Sequence, residues 1–199
     1  VRVYLDDILI TTCDSYEDHL HKVNEVLTRL ENSGFRANLR KCFFARTELE
    51  YLGFWITSKG IQPQPKKVEA ICRLLPPKNQ RQLRRFLGMV NYYRDMWQRR
   101  SHILAPLTAL SSKKVKWKWG PEENKAFEEA KRIISRETVL AFPNFKLPFH
   151  IYTDSSNYQL GATIIQADRP IAFYSRKMNS AQKRYPTGEQ ELLSIVETL

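Results

Sequence analysis

The chain has 199 residues, 42% of them hydrophobic and 12% aromatic, a folded composition long enough for one large domain or two small ones. Its net charge is +11, no apolar run reaches the roughly 20 residues of a membrane span, and its first residues lack a basic-then-apolar leader, so a soluble intracellular protein without a membrane partner is expected. Three cysteines at wide spacings, Cys13, Cys42 and Cys72, suit reduced thiols better than a disulfide framework or a zinc site.

The charge is unevenly placed. Residues 1 to 58 carry 7 basic and 9 acidic side chains, residues 59 to 118 carry 15 and 2, and residues 119 to 199 carry 10 and 10. The whole excess lies in the middle third. Such a block points to a polyanion, most simply nucleic acid, because phosphates reward clustered Lys and Arg by counterion release.

In chain order, the β-forming runs Val1 to Leu5 and Ile8 to Ile10 flank a tight turn carrying Asp6 and Asp7. Adjacent acids repel unless a cation or solvent relieves them. A divalent metal is one solution, since Mg²⁺ takes one or two carboxylates and keeps other positions for water and phosphate; a solvated turn is the other. Ser15 and Asp18 form a capping-box pattern, and Leu20, Val23, Leu27 and Leu30 then recur at helical spacing until Gly34, which predicts a helix over 16–33 packed on the sheet of the acidic hairpin. His19 and His21, two apart on that helix, face different directions and do not share a metal.

Cys42 to Phe44 and Tyr51 to Thr57 have strand character, the latter turning at Ser58-Lys59-Gly60 and returning through Ile61. Gly53 marks a strand irregularity or a close approach of another backbone. After Pro63 and Pro65 the basic block begins. Helices are expected over 66–75 and, capped by Asn79, over 80–97, with Leu83, Phe86, Leu87 and Val90 facing a core. Arg81, Arg84, Arg85, Arg94, Arg99 and Arg100, interleaved with Gly88, Asn91, Tyr92 and Tyr93, have the makings of a nucleic-acid track, with core packing the plain alternative for about half of the rings.

A helix over 103–110, a strand over 116–119 and a helix over 122–135 form a neutral connector. Strands over 149–154, 161–166 and 171–175 and a helix over 188–199 follow, giving an α+β fold with a mixed sheet. Asp154 at a strand end and Glu191 on the last helix are placed to converge on one metal; a turn and a helix-dipole role are the plain alternatives. Seven scattered glycines leave no Gly-rich phosphate loop, and no paired-histidine zinc helix or Gly-x-Ser-x-Gly elbow occurs.

Taken together, Tyr4-Leu5-Asp6-Asp7-Ile8-Leu9-Ile10, Glu50-Tyr51-Leu52-Gly53-Phe54, Leu83 to Arg94, Ala105-Pro106-Leu107-Thr108, Tyr152-Thr153-Asp154-Ser155-Ser156 and Glu191 to Val196 resemble, in order, the polyprotein of a gypsy-type long-terminal-repeat retrotransposon. The resemblance implies a partial polymerase palm over 1–61, a helical thumb over 62–118, a connection over 119–148 and the start of a ribonuclease H-like domain over 149–199. It implies that Asp6 and Asp7 are two of three polymerase acids and that Asp154 and Glu191 are two of four ribonuclease H acids, binding Mg²⁺ or Mn²⁺. Tyr4 would lie by the primer end, Tyr51, Leu52, Gly53 and Phe54 would hold the primer strand, and Arg84, Arg85, Gly88, Asn91 and Tyr92 would follow the duplex minor groove. The implied partners are an RNA or DNA template-primer duplex, deoxynucleoside triphosphates and the rest of the polyprotein, in a cytoplasmic virus-like particle. The remaining acids are expected outside this stretch, so the isolated chain is expected to be a fragment that binds duplex without turnover. A catalytically inactive remnant that only binds nucleic acid remains the alternative.

Overall fold

The structure is a computed structural model and describes every residue except 13, 14 and 137. Cys13 therefore lies outside the described residues; Cys42 and Cys72 are free thiols. The chain divides into two compact units, Val1–Tyr51 and Leu52–Leu199.

In the first unit, β1 (Arg2–Tyr4) and β2 (Asp7–Leu9) form an antiparallel hairpin in which Arg2 opposes Leu9, Val3 opposes Ile8 and Tyr4 opposes Asp7. Helix α1 (Tyr16–Asn32) starts at Ser15, whose hydroxyl accepts from Asp18 N while the Asp18 carboxylate accepts from Ser15 N, the expected capping box. Gly34 follows with φ +75, a conformation that stops helices. The expected packing of the apolar stripe is not found. No residue of α1 is buried, Leu20 is 49% exposed, and Val23, Leu27 and Leu30 are only half-covered. Cys42 to Phe44 is not a strand either. The Asn38 side chain accepts from Arg40 N and closes a 3-10 turn, Leu39–Lys41, which also takes the amide of Cys42. β3 (Leu49–Tyr51) ends this unit.

The second unit opens with a hairpin of β4 (Phe54–Thr57) and β5 (Gly60–Pro63), turning at Ser58-Lys59 as expected. Helices α2 (Pro65–Cys72), α3 (Gln80–Tyr92), α4 (Arg100–Ile103), α5 (Ala105–Leu110) and α6 (Pro121–Ile134) follow. The expected stripe of Leu83, Phe86, Leu87 and Val90 is buried, and it meets Ile71, Leu107, Leu110, Phe127, Ala130 and Ile134 in one core. Phe86 and Phe127 pack with ring centres 4.5 Å apart.

Four expected bounds shift for local reasons. α2 stops at Cys72, where Arg73 caps it and Leu74 N turns back to Ile71 O ahead of Pro76. α3 stops at Tyr92, because Tyr93 N bonds the closer carbonyl of Val90 and a 3-10 turn, Arg94–Met96, then swings Met96 and Trp97 into the core. The helix expected over 103–110 is two, separated at Leu104 with Pro106 in the first turn of α5. Residues 116–119 form no strand; Trp117 and Trp119 stack at 5.8 Å and Trp119 packs edge-on against Phe127, so side chains rather than a ladder hold this segment.

Last come β6 (His150–Ser155), β7 (Gln159–Gln166) and β8 (Arg169–Lys177), an antiparallel meander, and α7 (Thr187–Thr198). Residues 140 and 141 join this sheet to the β4–β5 hairpin: Leu140 exchanges two backbone hydrogen bonds with Ile61, at 2.8 and 2.9 Å, and Ala141 N bonds Pro170 O at 2.7 Å. Gly60 permits that approach. A Cβ there would sit 2.1 Å from Leu140 O, and its φ of +144 suits glycine.

Candidate nucleic-acid interface and metal-binding acids

The acidic hairpin turns on two residues, Leu5 and Asp6. Leu5 takes φ +51 and Asp6 does not take a positive φ, the type II′ pattern in which glycine is favoured at the first position. A leucine there is strained by about 1 kcal/mol or more, and strain of this kind gathers at functional turns. It places Asp6 at the tip and Asp7 at the start of β2, opposite Tyr4, so Tyr4 and Asp7 share one face. Both acids are exposed, and among the described residues neither is held in an ion pair. The Tyr51 hydroxyl lies 3.5 Å from the Asp7 carbonyl oxygen, at the long end of hydrogen-bond range. Two neighbouring hard carboxylates with free oxygens fit a cation that takes one or two acids and completes its shell with water. No group of three His, Cys, Asp or Glu placed for a metal occurs among the described residues.

The turn at Leu52-Gly53, with φ +48 and +74, is gripped by the end of α3. The Tyr92 hydroxyl donates to Leu52 O and the Tyr93 hydroxyl donates to Gly53 O at 3.0 Å. Phe54 stacks on Tyr92 at 5.3 Å and meets Tyr93 edge-on at 5.4 Å. Gly53 thus marks a close approach, as expected, but to a tyrosine ring rather than to backbone: its missing Cβ would lie 3.4 Å from Tyr92. Of the two tyrosines Tyr93 is buried, taking the core role that the sequence left open for such rings.

On α3, Arg81, Arg84, Arg85, Gly88 and Tyr92 are exposed and lie opposite the buried stripe, a continuous basic and aromatic face. Nothing lies within 4 Å of where a Gly88 Cβ would be, so this part of the face is flat and open. Arg84 also braces the fold, since its Nε donates to Ser111 O at 3.0 Å and ties down the end of α5. Asn91 is half-buried, and its Oδ1 accepts from Arg100 Nη1 at 2.5 Å. Burial, and then the nearby Arg94, lowers the Arg100 pKa from its ordinary value, but a guanidinium stays charged.

Asp154 lies on β6 opposite Gly161 of β7, and Glu191 sits in the first turns of α7. Of the four apolar residues available to pack α7, Leu193 is half-buried, but Leu192 is 63%, Ile195 42% and Val196 72% exposed. The buried side chains are instead Gln190 and Ser194. The Ser194 hydroxyl lies 3.1 Å from both Asp154 O and Gly161 O, and Gln190 Nε2 donates to Tyr185 O at 3.0 Å. Glu191 is one turn before Ser194, hence near the same face of the helix.

Sequence reasoning missed a set of buried polar residues in the last strands. Gln159 Oε1 accepts from His102 N at 2.7 Å, the Ser175 hydroxyl accepts from Ser101 N at 3.0 Å, and Gln166 Nε2 donates to the carbonyls of Asn144, Leu147 and Pro148. Their one sequence signal is position, since Gln159 and Gln166 bound a run of strand-forming residues.

Residues 1–56 match the family model of reverse transcriptase (RNA-dependent DNA polymerase), and residues 119–199 match that of the RNase H-like domain found in reverse transcriptase. The two matched segments are thus a reverse transcriptase portion and an RNase H-like portion, and the chain as a whole is similar to retrotransposon polyproteins. It is 38% identical over 99% of its length to the retrovirus-related Pol polyprotein from transposon opus of Drosophila melanogaster, and 34% identical over its full length to the transposon Tf2-3 polyprotein of Schizosaccharomyces pombe. It spans 21% and 15% of those relatives. In fold it is similar to the foamy viral protease-reverse transcriptase solved with an RNA/DNA hybrid, at a TM-score of 0.89 and 24% identity over 99% of this chain and 27% of that one. The same viral protein solved with double-stranded DNA gives 0.87 at 24% identity, over 99% of this chain and 42% of that one. Among the described residues no helix is long and apolar enough to cross a membrane.

Proposed function

We propose that the chain is part of a retrotransposon RNA-directed DNA polymerase with ribonuclease H activity, in which residues 1–61 serve as palm, 62–118 as thumb, 119–148 as connection and 149–199 as the ribonuclease H-like portion. The observation that carries this is the strained Leu5-Asp6 turn, which holds two unpaired acids beside Tyr4 at an exposed tip. Asp6 and Asp7 would hold Mg²⁺, with Mn²⁺ as a substitute, and Asp154 and Glu191 would do so at the second site. Bound there, the cation would lower the pKa of an attacking oxygen and stabilise charge on the leaving one in phosphoryl transfer.

The remaining residues position the nucleic acid. Tyr4 lies by the primer end, and Tyr51, Leu52, Gly53 and Phe54 hold the primer strand, the last three braced by Tyr92 and Tyr93. Arg84, Arg85, Gly88, Asn91 and Tyr92 lie along the duplex, where arginines neutralise phosphates and Gly88 admits close approach. Deoxynucleoside triphosphates, the template-primer duplex and the rest of the polyprotein are the partners, in a cytoplasmic particle.

The test is substitution within the parent polyprotein. Asp6→Asn or Asp7→Asn should abolish Mg²⁺-dependent primer extension and leave RNA cleavage in a hybrid intact, and Asp154→Asn should do the reverse. Full extension by both palm variants would refute the assignment.

A further inference from the structure

Asn91 and Arg100 lie nine residues apart, on α3 and α4. The Arg100 guanidinium is anchored at two points: Nη1 donates to Asn91 Oδ1 at 2.5 Å and Nη2 donates to Ser175 O on β8 at 2.8 Å. Its Nε is buried and, among the described residues, has no partner. The next residue reinforces the anchor, since Ser101 N donates to the Ser175 hydroxyl at 3.0 Å. A guanidinium has only donors, so it accepts one orientation of the asparagine amide, oxygen toward Arg100. The Asn91 Nδ2 is thereby turned away from Arg100, and among the described residues no group accepts from it.

We infer that Arg100 is a positioning residue that locks Asn91 as a hydrogen-bond donor toward the minor groove of the bound duplex. This rests on the proposal that the exposed face of α3 lies along nucleic acid. Every base pair offers a minor-groove acceptor, adenine N3 and thymine O2 among them, and the 2′-hydroxyl of an RNA strand adds another. A fixed donor therefore suits an enzyme that must travel over any sequence. A freely rotating amide would present its oxygen half the time and meet those acceptors with repulsion. Arg100 also ties this contact to β8, so the position of the duplex on α3 is passed to the sheet that carries Asp154.

The test uses the 199-residue chain and an RNA/DNA hybrid in which single adenines are replaced in turn by 3-deazaadenine, which lacks the N3 acceptor. The unmodified protein should lose about three- to tenfold in affinity at one step of the hybrid, the worth of one hydrogen bond. Asn91→Asp keeps the oxygen that Arg100 needs, and so the fold, but removes the outward donor; its affinity should not respond to the replacement. Arg100→Lys reaches one anchor but not both, and should lose most of the response while its salt dependence stays unchanged. An undiminished response in Arg100→Lys, or no response at any step in the unmodified protein, would overturn the inference alone. Absence of any salt-dependent binding by the unmodified protein would overturn the duplex reading of α3 and this inference with it.

Discussion

The hydroxyl of Ser194 stands 3.1 Å from the main-chain oxygens of Asp154 and Gly161, two residues that face each other across β6 and β7. One proton is thus shared between two acceptors where a helix meets a strand bearing a candidate metal ligand. Ser194→Ala should remove the helix's hydrogen bond to these strand carbonyls and cost about 1 kcal/mol, read as a lower urea midpoint at unchanged slope. In the parent enzyme it should lower RNA cleavage more than primer extension.

The two tyrosines at the end of α3 separate ring from hydroxyl. Tyr92→Phe and Tyr93→Phe keep the cluster with Phe54 but lose the bonds to Leu52 O and Gly53 O, and each should cost about 1 kcal/mol. Tyr92→Ala also loses the stack and should destabilise further. Hydrogen exchange of the amides around Leu52 and Gly53 should accelerate in all three.

Gly60→Ala should be among the most damaging single changes in the chain. Its Cβ would collide with Leu140 O, so the Ile61–Leu140 bridge must open. A loss of about 3 kcal/mol or more is expected in thermal unfolding, against less than about 0.5 kcal/mol for Lys59→Ala in the same turn.

Arg85 and Arg84 are neighbours with different ties. Arg85→Glu should weaken duplex binding and reduce the slope of log affinity against log salt by about 1–2, with little effect on stability. Arg84→Glu should do both, because it also releases Ser111 O. Equal salt slopes for Arg85→Glu and the unmodified chain would remove Arg85 from the interface.

The α1 cap sets a pH dependence. Hydrogen bonds from the Ser15 side chain, then from its backbone, hold the Asp18 carboxyl below the ordinary value of 3.8. The cap is therefore intact above about pH 4 and is lost as pH falls through the lowered value, when the carboxylate takes up its proton. The carboxyl ¹³C shift of Asp18 should titrate below that of exposed aspartates, and Asp18→Asn should abolish the acid-induced fraying of α1.

Much of this is legible in the sequence where local chemistry decides the outcome. The Ser15-Asp18 cap, the buried stripe of α3 and the acidic hairpin all follow from spacing and residue type, although the turn itself falls one residue earlier, at Leu5-Asp6, with Asp7 already in β2. What is not legible depends on distant partners. α7 looks like a helix that packs through Leu192, Leu193, Ile195 and Val196, yet of these only Leu193 is half-buried, and a serine and a glutamine dock the helix by donating to carbonyls on β6 and β7 and at Tyr185. Which of Tyr92 and Tyr93 turns inward is not decided locally, because the partner of Tyr93, Gly53, is 40 residues away. Trp117 and Trp119 alternate like a strand, but they stack on each other in the core's margin.

Phe86 on α3 and Phe127 on α6 share one core, although the charge of the sequence changes abruptly between them. The basic stretch and the neutral one after it are therefore not separable parts in an evolutionary sense. Recombination between related elements at residue 118 would pair a Phe86 with a foreign Phe127 and be purged unless both sides matched, so viable chimaeras should exchange α3 and α6 as a single cassette.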